Sequence, residues 1–219
     1  MPTAIILPDH DAWIAERKNG IGASDAGALL GTSAYKTNVQ LWEEKVGIRE
    51  PEDISDKPAV QYGHDAEPHL RALFAIDHPE LEIIYESPYK IIRHAEHPFI
   101  QASPDGELIE RSTGRRGGLE IKTTEIRSPN QWKDWDGRIP DHYYAQVLWQ
   151  MIATDWEFVW LKAQIKWYTR DRELRIDTRE YHIERAEVLP DIEIAIKEGI
   201  TFWHKVQTKT RPALKLPAI

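Results

Sequence analysis

Two short stretches hold the residues best suited to chemistry: Ser103-Pro104-Asp105-Gly106 and, fifteen residues after Asp105, Glu120-Ile121-Lys122. Side chains alternate along a strand, so an extended second stretch puts Glu120 and Lys122 on one face and Ile121 on the other, in a core. Asp105 follows one strand-like run, and Glu120 lies on a neighbouring run reached through a hairpin-like excursion. Two carboxylates and an ammonium can therefore converge. Oxygen donors with no sulfur or imidazole beside them suit Mg²⁺ or Mn²⁺ rather than zinc. A lysine beside them can orient or deprotonate an attacking water and offset charge on a pentavalent phosphate. The set suits metal-dependent phosphodiester hydrolysis. A purely structural reading competes with it, since Pro-Asp-Gly is ordinary turn chemistry and Glu-x-Lys is ordinary on a solvated strand face.

Spacing and turn residues predict the elements that must hold these groups. Asp9 or Asp11 can cap a short helix carrying Trp13 and Ile14, and Ser24 stands where an N-cap belongs, ahead of a helix over 25–30 stopped by Gly31. A third helix runs from about Asn38 to Val46. A fourth, over 59–76, sets Glu67, Leu70, Arg71 and Phe74 along one side, where Glu67 and Arg71 can form an i,i+4 pair. Strands are expected at 81–85, 89–93, 99–103, 107–110 and 119–123, with 112–118 as a hairpin loop. A helix over 141–153 carries an apolar stripe with Gln146 beside it. Strands near 157–165 and 173–183 follow, then a last helix with Pro190 in its first turn, to about Val206. This succession predicts a mixed α/β (α+β) fold, a single domain over 1–219, with a central mixed sheet flanked by helices.

Composition narrows the classes. The chain has 219 residues, 41% hydrophobic and 29% charged, enough for a sizeable core. With no cysteine, disulfide scaffolds, thiolate metal sites and thiol nucleophiles are excluded, and a reducing cytoplasm fits. The opening MPTAIILPDHD has no basic n-region and only a four-residue apolar run, so neither a signal peptide nor a membrane span is expected. The net charge of −8 is uneven: residues 1–110 carry 20 acids and 9 bases, residues 111–219 carry 16 acids and 19 bases. An acidic exterior with a basic inward surface can still hold nucleic acid. Gly20, Gly22 and Gly27 do not make a dinucleotide fingerprint, no H-E-x-x-H occurs, His94 and His97 read as surface histidines beside a turn, and most of the nine tryptophans read as core.

An ordered series then carries a resemblance: Trp13…Arg17…Ile21-Gly22-Ala23-Ser24-Asp25, Tyr62-Gly63-His64-Asp65-Ala66-Glu67, Ser103-Pro104-Asp105-Gly106, Leu119-Glu120-Ile121-Lys122 and Tyr144-Ala145-Gln146. The chain resembles the lambda-exonuclease and YqaJ-type viral alkaline exonucleases of the PD-(D/E)xK nuclease superfamily, with its restriction-endonuclease-like core. The resemblance implies that Glu67, Asp105, Glu120 and the backbone carbonyl of Ile121 hold a pair of Mg²⁺ ions (Mn²⁺ as alternative) and that Lys122 serves the attacking water. It implies a pocket for a 5′-terminal phosphate made by Arg17, Ser24, Ser103 and Gln146. A contact of Tyr35 and Lys36 with DNA where the strands separate is a further expectation. The implied activity is 5′→3′ resection of linear double-stranded DNA, leaving 3′ single strands for phage-type recombination. The implied context is a homotrimeric ring, a single-strand annealing protein as partner, and a phage or prophage gene expressed in a bacterial cytoplasm. Two alternatives stand beside it: an endonuclease or helicase-associated nuclease on the same core, and a DNA-end-binding protein without catalysis.

Overall fold

The structure is a computed structural model describing residues 1–216. In chain order the elements are β1 (Thr3–Ile6), α1 (His10–Arg17), β2 (Ile21–Gly22), α2 (Ala26–Leu30), α3 (Asn38–Lys45), α4 (Pro58–Asp77), β3 (Leu81–Ile84), β4 (Lys90–Arg93), β5 (Ile100–Ala102), β6 (Gly106–Glu110), β7 (Arg116–Ile126), α5 (Pro129–Lys133), α6 (Asp141–Thr154), β8 (Phe158–Tyr168), β9 (Leu174–Glu184) and α7 (Leu189–Gln207). The fold is mixed α/β, as expected. The central mixed sheet has five strands in the order β3-β6-β7-β8-β9, antiparallel except for β7 and β8. Four more strands form a second mixed sheet, β1-β4-β5-β2, with β2 and β5 parallel. No described helix is long and apolar enough to cross a membrane.

The division into two sheets positions the chemistry. The chain leaves the four-stranded sheet at Ala102 and enters the five-stranded one at Gly106, so Ser103-Pro104-Asp105 bridges them. The Asp105 N–H donates to the Leu119 carbonyl at 3.1 Å, and the Ile121 N–H donates to Asp105 Oδ2 at 2.7 Å. The bridge is thereby pinned to the middle of β7.

Two apolar clusters flank this junction. The larger gathers Ile21, Leu29, Leu41, Trp42, Ile100, Leu148, Trp149, Val159, Leu161 and Phe202 around α6, which packs on β5, β8, α2 and α7. Trp149 is fully buried, donates its indole N–H to the Ile21 carbonyl at 2.9 Å, and presses against Gly199 of α7 so closely that a Cβ there would lie 2.4 Å from the ring. The smaller cluster sets Leu70 and Phe74 of α4 on Leu81, Leu108, Leu119, Ile121 and Phe158.

Several expectations are corrected. The apolar run near the N-terminus, to which the sequence assigned no element, is edge strand β1, paired Thr3↔Arg93 through Ile6↔Lys90. The proposed hairpin loop over 112–118 is shorter, because Arg116, Gly117 and Gly118 extend β7. A Cβ on Gly117 would stand 2.2 Å from the Phe158 ring, so these glycines let aromatic side chains lie flat on the strand. Ser24 does not cap a helix. It lies inside a 3₁₀ turn over Ala23–Asp25, because Asp25 Oδ2 accepts the Gly22 N–H at 3.1 Å and closes the turn earlier; α2 begins only at Ala26. The short helix α5 had no anticipation in the sequence.

Candidate active site

Three elements bring the carboxylates together. Strand β7 supplies Glu120 and Lys122 on one face, the bridge supplies Asp105, and α4, which packs on β7, supplies Glu67. Lys122 Nζ pairs with Glu120 Oε1. Glu120 is 2% exposed, and α6 satisfies it from one side: Gln146 Nε2 donates to Oε1 at 2.5 Å and Gln150 Nε2 donates to Oε2. Glu67 Oε1 accepts from Arg71 one helical turn on, at 2.7 Å. That i,i+4 pair, the plain structural expectation, is therefore present beside the cluster. Among the described residues, no three carboxylate or imidazole side chains are already gathered around one point as a ready cage.

Burial and mutual charge set the electrostatics of the cluster. Burial pushes the Asp105 carboxyl well above its usual range, and Glu120 and Glu67 push it further, against the pull of Lys122 and the Ile121 N–H. Burial also raises Glu67, with Glu120 adding to the rise and Arg71 opposing it. Burial disfavours charge on Lys122, yet Glu120 and Asp105 more than compensate and hold the ammonium above ordinary lysine. Asp105, Glu67 and Glu120 act on one another through their charges, and Lys122 and Arg71 offset the rise of Asp105 and Glu67 only in part. The donors are hard oxygens, which fit a small divalent cation rather than a soft metal.

Beside the cluster lies an anion-suited wall. Arg17 Nη2 donates to Ser24 Oγ at 2.6 Å, and the guanidinium lies 4.6 Å over the Trp13 ring. Trp13 Nε1 approaches Ser103 Oγ at 3.4 Å. One cavity of about 230 Å³ is lined by Arg17, Ser24, Glu67, Ser103, Asp105, Glu120, Lys122 and Gln146 together. Thus all eight residues singled out for the two sites face one space, while Ile121 lines a neighbouring cavity that Glu67, Asp105 and Lys122 also reach. Tyr35 and Lys36 do not. Tyr35 is 85% exposed on its loop, and Lys36 Nζ is paired with Glu44 Oε2 at 2.6 Å.

Sequence reasoning gave no role to three supporting residues. Gln150 is one turn beyond Gln146, and that spacing was its signal. Arg71 was read only as a partner for Glu67. Asp25 anchors the Arg17–Ser24 side: it pairs with Lys45 at 2.9 Å, both side chains being about one-tenth exposed. Burial opposes ionisation of Asp25, but Lys45 and Arg17 outweigh it and bring its pKa to about 2 from 3.8. A depressed folded-state pKa of this size contributes about 2 kcal/mol of stability, complete above pH 3.8 and lost as pH falls from there through about 2. Asp25→Asn is therefore expected to lower the urea-unfolding free energy at pH 7 by about 2–3 kcal/mol, leaving Lys45 buried without its partner. The gap from the unaltered protein should narrow as pH falls below 3.8; a gap constant down to pH 2 would count against the ion-pair account.

The fold has counterparts among known proteins. The alkaline exonuclease LHK-Exo of Laribacter hongkongensis superposes with a TM-score of 0.60 at 21% identity, covering 92% of this chain and 94% of that one. A phage related exonuclease from Haemophilus somnus 129PT superposes with a TM-score of 0.52 at 14% identity, covering 87% and 96%. At these identities the shared property is the fold. In sequence, the uncharacterized protein YqaJ of Bacillus subtilis (strain 168) is 34% identical over 138 residues, 63% of this chain but only 40% of that protein's length. Residues 12–157, which run from Trp13's helix through every carboxylate of the cluster to the end of α6, match the YqaJ-like viral recombinase domain, and the chain belongs to that family.

Proposed function

We propose that the protein is a metal-dependent 5′→3′ exodeoxyribonuclease that resects linear double-stranded DNA from its ends and leaves 3′ single strands for phage-type recombination. The observation that carries the reading is the single cavity in which the carboxylate–lysine cluster and the Arg17–Ser24–Ser103 wall face each other. A terminal phosphate on that wall would set the next phosphodiester at the cluster, so the cut releases one nucleotide at a time.

Asp105, Glu120 and Glu67, with the Ile121 carbonyl, would hold Mg²⁺ or Mn²⁺. A divalent ion supplies a Lewis acid for the phosphate oxygens and a water of lowered pKa. The chain's own groups do the rest. Lys122, kept charged by Glu120 and Asp105, acts as a donor that orients the attacking water and offsets charge growing on the phosphate. Arg17, Ser24 and Ser103 present donors to the terminal phosphate, and Gln146 and Gln150 fix the Glu120 carboxylate. The same reading includes a homotrimeric ring with bases turned inward, an annealing protein as partner, and a phage or prophage gene acting in a bacterial cytoplasm.

The test is digestion of linear, nicked and covalently closed duplex with Mg²⁺ and with EDTA. Linear 5′-phosphorylated duplex should shorten from its 5′ ends, closed circles should persist, and chelator should stop the reaction. Cutting of closed circles would favour an endonuclease; no cutting of any DNA with Mg²⁺ or Mn²⁺ would leave an end-binding protein.

A further inference from the structure

The cavity that holds the carboxylates has a side used neither by them nor by the Arg17 wall. Two of the chain's crossings between the sheets border it: Ser103-Pro104-Asp105, and the 85–89 connection from β3 to β4. The second crossing puts Tyr85, Ser87 and Pro88 on the cavity wall. Local bonds fix its course. Ser87 Oγ accepts the Tyr89 N–H at 3.0 Å, the Tyr89 carbonyl accepts the Leu7 N–H at 3.1 Å, and Lys90 Nζ pairs with Glu86.

Tyr85 is held there as a platform. The Arg71 guanidinium carbon lies 3.5 Å from the Tyr85 ring centroid. Arg71 is on the protein side of the ring: its side chain is 12% exposed, and its Nη1 is buried. One face of the ring is therefore covered, and the 41% of Tyr85 that is exposed falls to the other face and the hydroxyl edge. Arg71 Nη2 also donates to Glu67 Oε1 at 2.7 Å, so one guanidinium joins the ring to the carboxylate cluster. The hydroxyl registers that closeness, since burial raises its pKa and the charges of Glu67 and Asp105 add to the rise. Trp13, the other large ring on the wall, is already engaged by Arg17 at 4.6 Å and by His10 at 5.8 Å. Of the two, Tyr85 keeps a face open.

We propose that Tyr85, backed by Arg71, is the subsite for the nucleobase of the nucleotide being released, which stacks on the open face of the ring. The inference rests on the nuclease reading and adds a place for the base to the places for the phosphates. With the terminal phosphate at Arg17, Ser24 and Ser103 and the next phosphodiester at Asp105 and Glu120, the sugar is held at both ends. Its base turns to the remaining side, where Tyr85 and Pro88 offer ring and apolar surface. A base reaches the ring only when unpaired, so stacking offsets part of the cost of opening the end pair. Every base has a π-face, so one ring serves all four, and the cation beneath it completes a guanidinium–tyrosine–base stack.

Two measurements test it. The first is calorimetry with Mn²⁺ present, comparing deoxyadenosine 5′-monophosphate with 2-deoxyribose 5-phosphate, which lacks the base. Tyr85→Ala should weaken binding of the mononucleotide about tenfold and leave the sugar phosphate unchanged, while Tyr85→Phe should match the unaltered protein. Tyr168→Ala, at an exposed tyrosine that ends β8 and does not line this cavity, should change neither. The second follows release of the first nucleotide from 5′-phosphorylated duplex whose terminal residue is unpaired, either intact or abasic. Tyr85→Ala should slow the intact end about tenfold and the abasic end little, because the ring's partner is already missing there. Equal weakening of both ligands, or equal slowing of both ends, would reduce Tyr85 to a support for Arg71 and Glu67 and overturn the subsite. So would no change in either, or unaltered protein that binds the mononucleotide no better than the sugar phosphate. If Tyr85→Ala fails to fold, Tyr85→Leu, which keeps apolar bulk without a π-face, is held to the same outcomes. These failures are separable from failure of the nuclease reading, which would appear as unaltered protein that releases no nucleotide from any duplex, whereas the calorimetric comparison needs no cutting.

Discussion

Lys122→Ala is expected to slow strand cleavage by about 10²–10⁴-fold, the range for a positioned group that moves a proton or meets charge in the transition state, while duplex affinity changes little. The side chain is paired with Glu120 and held in its charged form by Glu120 and Asp105, so its removal deletes a donor and not a cation ligand. The carboxylates should behave differently. Asp105→Asn and Glu120→Gln keep shape and volume but each remove one of the three carboxylate charges available to an ion, so calorimetric Mn²⁺ binding should fall together with cutting. The amide variants are preferable to alanine at Glu120, because a truncated side chain would strand Gln146, Gln150 and Lys122 without their acceptor in a site 2% exposed. Lys122→Ala that binds no Mn²⁺, or that cuts at the unaltered rate, would sink the division of roles.

The legible parts of the sequence were those where local pattern and tertiary demand agree. Helix α4 was expected over 59–76 and spans Pro58–Asp77, since its apolar spacing meets one face of β7. Asp105 and Glu120 were legible as a pair because the β6–β7 hairpin is local: Gly106 lies opposite Leu119, which leaves Asp105 one step from Glu120. What could not be read depends on contacts distant in sequence. Gly117 and Gly118 look like a loop until Phe158 and Trp156, some forty residues later, are laid on them. The N-terminal strand exists only because β4 offers an edge. Ser24 has every mark of an N-cap, but Asp25 closes the preceding turn and is itself held by Lys45, twenty residues on. The split into two sheets falls at Pro104, where no composition change marks it. The consequence for the site is concrete: with α2 only five residues long, the proposed terminal-phosphate wall would draw on side-chain donors, Arg17 foremost, rather than on the end of a long helix.

That places the weight of end recognition on Arg17, and Arg17→Ala should slow digestion of 5′-phosphorylated duplex by about ten- to a hundredfold, matching about 1.5–3 kcal/mol for a charge-assisted guanidinium–phosphate contact. The guanidinium now donates to Ser24 Oγ at 2.6 Å and lies over Trp13, within the cavity that holds the carboxylates. Arg17 also helps to depress the pKa of Asp25, so its loss carries a structural cost unrelated to substrate. Comparing 5′-phosphate with 5′-hydroxyl duplex separates the two effects. A structural cost slows both substrates equally, whereas loss of the phosphate contact slows only the phosphorylated one, because the hydroxyl end already lacks the charged partner. The expected result is therefore non-additivity: variant and dephosphorylation together should cost little more than either alone. Arg17→Lys should recover part of the rate, since it restores the charge without the planar fork. Equal slowing on both ends, with a fall in thermal stability to match, would reduce Arg17 to a packing residue against Trp13 and leave the 5′-phosphate pocket without its main donor.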